Sequence, residues 1–151
     1  RLLGEGKEVW FYTCCCPIGP WPNRFLDFHL NKGSLLPWFN FHYGTDGFLH
    51  WGAAQWSKDQ DVYEECGFQG DGFLLCPGPD GPVGSMRWLA LRLGMEDHEL
   101  LTALAESGEE GQRTARELCG ELIQDATHFT YETGAVRRAL NRLRAAAAEI
   151  A

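Results

Sequence analysis

Cys14, Cys15 and Cys16 stand side by side between a short apolar run and a Pro/Gly/Trp loop. Their chemistry has to be decided first. Thiolates bind zinc, but zinc sites usually draw on spaced pairs, and no second Cys or His pair at ligand spacing follows. A nucleophilic cysteine needs a base, and no histidine is assignable as one. The expectation is therefore no metal and no cofactor, with three small side chains packing where a strand meets its loop. Cys66, Cys76 and Cys119 stand alone, without the regular spacing of a disulfide framework, so free thiols are expected. Beyond the loop, Asn23, Arg24 and Asp27 form a polar cluster. Arg24 and Asp27 would be neighbours on a helix at i, i+3, a pair that pins the loop. Arg87, Arg92, Glu96, Asp97 and Glu99 read as a solvated or bracing helix face, with Arg92 and Glu96 at i, i+4.

The elements that must position these residues alternate. Val9–Cys15 is apolar on both faces, as in a strand buried on both sides of a parallel sheet. Pro17–Pro22 cannot continue it. Arg24–Tyr43 carries Phe, Leu and Trp at roughly helical spacing, broken by Gly33 and Pro37. A turn at Gly44–Gly47 leads into a second strand, Phe48–Ala54. A polar loop runs from Gln55 to Glu65, and Phe73–Cys76 is a third strand closed by the turn-rich Pro77–Pro82. The period then becomes helical. Met86, Leu89, Ala90, Leu93, Met95, Leu100, Leu101 and Leu104 trace one face of a long helix that Gly94 weakens. Helices over Thr114–Gln124 and Ala135–Ile150 follow, the latter facing inward with Val136, Leu140, Leu143 and Ala147. Strand–loop–helix steps of this kind belong to a parallel α/β protein, in which ligands meet the loops at the carboxyl ends of the strands.

The chain has 151 residues, 44% of them hydrophobic, enough for one core. Its net charge of −8 argues against a nucleic-acid partner, because neutralising phosphates takes clustered Lys and Arg. No apolar run reaches membrane-spanning length. The chain opens at Arg1 without an initiator Met, as a fragment or processed piece would, so its compartment is not legible.

Three stretches are similar, in the same order, to the C-terminal part of the glycoside hydrolase family 123 catalytic domain: WFYTCCCPIGPWPNRFLDF, YGTDGFLHWG and PGPDGPVGSMRWLALRLGMEDHELL. The similarity runs from about Glu8 to Leu104. It implies a (β/α)₈ barrel that hydrolyses β-linked N-acetylgalactosamine by substrate-assisted retention, the sugar's own acetamido oxygen attacking the anomeric carbon. In the family an adjacent Asp-Glu pair orients the acetamide and supplies the general acid and base. No Asp-Glu dipeptide occurs in these 151 residues, and Glu96-Asp97 is reversed. A closed barrel takes about 250 residues. The expected fold is thus α/β, the C-terminal portion of a TIM-type barrel with about three parallel strands. Residues 1–107 would supply its strand–helix units and 108–151 a helical extension. The partners implied are a carbohydrate and the upstream remainder of the barrel.

A sugar site needs aromatic faces and a few polar groups. The resemblance makes Trp51, Trp56, Tyr12, Gln55 and Asn23 the candidate substrate contacts, with no catalytic residue in this stretch. Trp51 and Trp56 lie at the end of the second strand. If Trp51 faces the barrel interior, alternation turns His50 away as a structural histidine, and only one of Tyr12 and Thr13 faces the site. Family members commonly carry a bulky residue and Asn where this chain has Ala53 and Ala54, which puts the sugar specificity in question. Two alternatives stand beside the hydrolase: a non-catalytic carbohydrate-binding or pseudoenzyme segment, and a subunit completed by another chain at its unpaired sheet edges.

Overall fold

A computed structural model describes residues 5–57, 61–62 and 67–150. Cys66 and most of the polar loop expected after Trp56 lie outside them. The first strand, β1 (Trp10–Thr13), pairs in parallel with β2 (Gly47–His50), in register Trp10↔Gly47 to Thr13↔His50. Asp46 starts the pair. Its carboxylate accepts from Val9 N–H at 2.7 Å while its own N–H donates to Val9 O at 2.8 Å. Between the strands lie α1 (Leu30–Ser34) and α2 (Leu36–Tyr43), separated at Leu35 with Pro37 in the first turn of α2. Proline is tolerated there because that N–H has no helical partner to lose. The break in the expected helix is real, but helix begins at Leu30, so Arg24 and Asp27 are not helical neighbours.

β1 is not buried on both sides. Phe11 and Thr13 face inward, and the Phe11 and Phe48 rings meet at 4.8 Å. The opposite face carries Trp10, Tyr12, Leu49 and Trp51, all exposed. Helices cover one face of the pair and leave the other open and aromatic.

The third strand also departs from expectation. β3 (Leu75–Gly78) pairs antiparallel with β4 (Gly81–Gly84) in a hairpin, separate from β1 and β2. Pro77 opposes Pro82 in this ladder. Neither can donate a backbone hydrogen bond, and a central parallel strand needs donors on both edges. Gly78 is required by the close approach, since a Cβ there would lie 2.6 Å from Gly81 O. The described residues thus contain one parallel pair rather than three parallel strands.

The long helix α3 (Met86–Glu106) is continuous, capped by Ser85, whose side chain accepts from Trp88 N–H. Its buried face differs from the apolar face of the sequence. Arg87, Leu91, Gly94, Asp97, Leu101 and Leu104 are buried, whereas Met86, Leu89, Leu93 and Met95 are exposed. Gly94 explains the rotation: its Cα abuts the backbone of Ser34, where a Cβ would come within 2.0 Å of the carbonyl oxygen. The helix runs unbroken through this glycine, which lets α3 touch α1. The expected Arg92–Glu96 pair forms at 3.0 Å on the exposed side.

Helices α4 (Glu109–Leu122) and α5 (Thr133–Ala148) complete the order. Ala115, Leu118, Leu122 and Ile123 bury as the sequence pattern indicates, and so do Val136 and Leu143. They share one core with Leu35, Trp38 and Phe39 of the preceding helical segments and Leu101 and Leu104 of α3. No helix among the described residues is long and apolar enough to cross a membrane.

Candidate functional site

Because β1 and β2 are parallel, their carboxyl ends emerge together and bring the Cys14–Pro22 loop beside the residues following His50. A further length of chain, from the 3₁₀ turn Gly67–Gly70 to Phe73, delivers Asp71 across the end of β2. Asp71 is fully buried, and its carboxylate takes two ring donors. His50 Nε2 lies 2.8 Å from Oδ1, and Trp51 Nε1 donates to Oδ2 at 2.5 Å. Successive side chains leave a strand on opposite faces, yet both rings reach one carboxylate, because β2 stops at His50 and Asp71 closes its end. His50 is thus a satisfied histidine, its side chain buried on the side away from the exposed Trp51 face, as expected, and the shared carboxylate is what links the two rings. The two rings lie 6.2 Å apart, 26° from parallel.

Charge around this carboxylate is balanced by Arg24. Its guanidinium, buried, donates to Gly52 O. Burial pulls the Arg24 pKa down to about 10, a shift that Asp71 opposes and Arg87 reinforces, so the group keeps its charge at neutral pH. Burial, then Arg24, push the His50 pKa below its ordinary value, while Asp71 pulls the other way. Nε2 gives its proton to the Asp71 carboxylate, and Nδ1 lies 3.1 Å from Gly52 O and 3.3 Å from Gly52 N. Arg87 braces the platform from α3. It donates to Arg24 O at 2.9 Å, to Gly70 O at 2.6 Å and to Phe73 O.

The five candidate contacts fall into two groups. Trp51 is 40% exposed and Tyr12 49% exposed on the open sheet face. Gln55 is exposed beside them: its N–H donates to Gly72 O at 3.0 Å, and Gly72 lies between its side chain and the Trp51 ring. A Cβ on Gly72 would come within 3.0 Å of Gln55 and 3.1 Å of Trp51, so only glycine lets the two flank it. Thr13 takes the buried side. The remaining two are committed elsewhere. Trp56 is half-buried and its indole donates to Leu75 O at 3.0 Å. Asn23 is fully buried, giving its amide hydrogens to Cys14 O at 2.9 Å and Pro17 O at 3.0 Å, and its Oδ1 accepts from Arg24 N–H. That amide has no donor left for a ligand; it holds the loop. Arg24 does not pair with Asp27 but turns inward to Gly52.

Asp71 is the residue of this cluster that the sequence pattern does not reveal, whereas Arg87, read as solvated or bracing, is a buried brace. An Asp before a Gly reads as a turn, and its partners are 20 and 21 positions away. The one signal is negative: His50 and Trp51 form a polar-headed aromatic pair with no local partner.

The cysteines also depart from expectation. Cys15 and Cys16 are exposed rather than packed, and Cys14 is partly so. The Cys14 and Cys16 sulfurs lie 3.3 Å apart and those of Cys14 and Cys15 4.0 Å apart. Hydrogen bonding, first from the Cys16 backbone, lowers the Cys14 thiol pKa, and the Cys14 sulfur in turn raises those of Cys15 and Cys16. Among the described residues every cysteine is a free thiol.

A concavity of about 720 Å³ lies along α2, α3 and α4, lined by Asn40, Tyr43, His98 and Arg116 among others. It lies away from the strand ends and joins none of the groups above. At the strand ends Asp71 is spent on orienting two rings. The arrangement can hold a rigid aromatic wall; among the described residues it contains no opposed pair of free carboxylates.

A family 123 glycoside hydrolase from Clostridium perfringens, studied for glycolipid glycan hydrolysis, has a similar fold. The TM-score is 0.69 at 19% identity, over 98% of this chain and 28% of that one. This chain therefore spans less than a third of that relative. No curated protein matches it. The family model described as "Glycoside hydrolase 123, catalytic domain" matches residues 3–104, which include both parallel strands, Asp71 and most of α3. By that match the chain belongs to glycoside hydrolase family 123.

Proposed function

We propose that these residues form part of the wall of a (β/α)₈ barrel that hydrolyses β-linked N-acetylhexosamine, N-acetylgalactosamine in particular. The mechanism would be substrate-assisted and retaining, with the Asp-Glu pair contributed by chain upstream of this stretch. One observation carries the reading: Trp51, at the carboxyl end of a parallel strand, presents an exposed ring while its N–H is locked on buried Asp71. A ring held in one orientation loses little freedom when a pyranose settles on it. Helices on one face of the parallel pair and an open aromatic face on the other suit a segment of barrel wall whose interior is completed by further strands. In this reading Trp51, Tyr12 and Gln55 contact the sugar. Asn23 positions the loop, and Trp56 supports the wall through Leu75.

The absence of an Asp-Glu dipeptide favours one second reading, a carbohydrate-binding segment without catalysis. Hydrolysis of an aryl β-N-acetylgalactosaminide by the whole protein, with the aryl β-N-acetylglucosaminide alongside, separates the two. Cleavage of the galacto substrate, weakened by Trp51→Ala, is expected. Sugar binding without cleavage would replace the hydrolase with the binding segment, and cleavage unaffected at Trp51 would remove the wall.

A further inference from the structure

We propose that Cys14, Cys15 and Cys16 form a three-thiolate site for a thiophilic cation of the Zn²⁺ class at the mouth of the strand ends. The three sulfurs lie within 4.8 Å of one another. Thiolates bound to one zinc at about 2.3 Å stand about 3.8 Å apart in a tetrahedral arrangement and about 4.0 Å apart in a trigonal plane. The two separations from the Cys14 sulfur, 3.3 and 4.0 Å, bracket those values, and the Cys15 and Cys16 sulfurs lie within 4.8 Å of each other. Metal uptake therefore needs sulfur displacements of about 1 Å or less, which Cys χ1 adjustments supply.

Consecutive cysteines lack the spacing of a zinc loop, and this turn removes the objection. Cys14 N–H donates to Cys16 O at 2.8 Å, folding the triplet back on itself. Asn23, fully buried, clamps the turn at both ends through Cys14 O and Pro17 O. The backbone that presents the thiols is thus held by a side chain already committed to that task, the supporting shell a metal site needs. Cys15 and Cys16 are exposed, so a cation enters without unfolding.

Binding is a simple exchange: three S–H bonds give up three protons to solvent and three Zn–S bonds form, with no change of oxidation state. Three ligands leave a fourth position for water. The ion would tie the loop after β1 into a closed unit next to the open face that bears Tyr12. The proposal stands apart from the glycosidase reading, since it needs no sugar and no carboxylate pair.

The test is a Zn²⁺ titration of the reduced whole protein, with a chromophoric chelator as competitor and a non-chelating phosphine as reductant. One Zn²⁺ per chain is expected. Cys15→Ser and Cys16→Ser, at exposed positions, should each weaken it by roughly a hundredfold or more, beyond the roughly 10–100-fold that losing an outer partner costs. Cys76→Ser should leave it unchanged. Replacing Zn²⁺ by Co²⁺ should give thiolate-to-metal charge-transfer absorption that both serine variants lose. No binding above that of the Cys14/Cys15/Cys16 triple-serine protein would overturn the site. So would one Zn²⁺ per two chains, or binding that Cys15→Ser and Cys16→Ser leave intact.

Discussion

Trp51 donates its indole N–H to Asp71 Oδ2 at 2.5 Å while its ring remains 40% exposed. The other oxygen of that carboxylate takes His50 Nε2, and Arg24 supplies the balancing charge nearby. One buried carboxylate thus fixes an aromatic ring, a histidine and the loop crossing the strand ends.

Removing that carboxylate leaves a buried guanidinium without its counter-charge and two ring donors without acceptors. Asp71→Ala is expected to cost about 3–5 kcal/mol, as when one partner of a buried pair is deleted. Asp71→Asn keeps the shape but turns one acceptor into a donor facing a donor. It should cost about 1–3 kcal/mol. Urea unfolding of the two variants beside the parent checks the order; equal stability of all three would refute the hub.

Gly94 and Gly120 make a matched pair. A methyl group at Gly94 meets the Ser34 backbone at 2.0 Å, and backbone cannot swing aside. Gly94→Ala should destabilise by about 1–3 kcal/mol or more through forced separation of α1 and α3. Gly120, inside α4, has open space where a Cβ would stand, with nothing within 4 Å. Gly120→Ala should stabilise by about 0.5–1 kcal/mol from helix propensity alone. Thermal melting should move in opposite directions for the two; the same direction would refute the packing account.

How much of this is legible in the sequence follows from what each residue's surroundings require. The first strand, the break near Pro37, the hairpin turn and the inward faces of α4 and α5 rest on local rules of period and turn chemistry, and those survive folding. The face of α3 escapes those rules because the helix buries Arg87, Gly94 and Asp97, which hydrophobic periodicity assigns to solvent. Each is inside for a non-local reason: Arg87 collects three carbonyls, Gly94 admits Ser34, and Asp97 accepts from the Trp38 indole at 3.4 Å. In the candidate site Trp51 and Tyr12 are visible as aromatics at strand ends. Asp71 is not, since its meaning lies in partners brought to it only by the turn at Gly67–Gly70.

His50 makes stability depend on pH. Burial, then Arg24, lower its pKa in the folded protein from the ordinary 6.5. The unfolded chain therefore takes up a proton before the folded one does. The stability contribution is complete above pH 6.5 and is lost as pH falls from there through the folded value. His42, lowered by burial, adds a slope of the same sign. Unfolding free energy measured from about pH 8 to about pH 5 should be level at first and decline below about 6.5. His50→Gln should flatten part of that decline, and a rise in stability on acidification across this window would contradict the assignment.

The sugar-wall reading makes its own demand on Trp51. Truncating a ring that anchors a ligand typically costs about 2 kcal/mol or more, which is roughly thirtyfold in kcat/KM. Trp51→Ala in the whole protein should lose that much on an aryl β-N-acetylgalactosaminide. Trp51→Phe keeps an aromatic face but lacks the N–H that Asp71 holds, so it should fall between the two. Asp71→Asn tests the link between orientation and binding. If the carboxylate acts by aiming the ring, Asp71→Asn should lower kcat/KM in the same direction as Trp51→Phe, and adding it to Trp51→Ala should cost little more. Additive losses in the double variant would mean that Asp71 serves catalysis by a route independent of the ring.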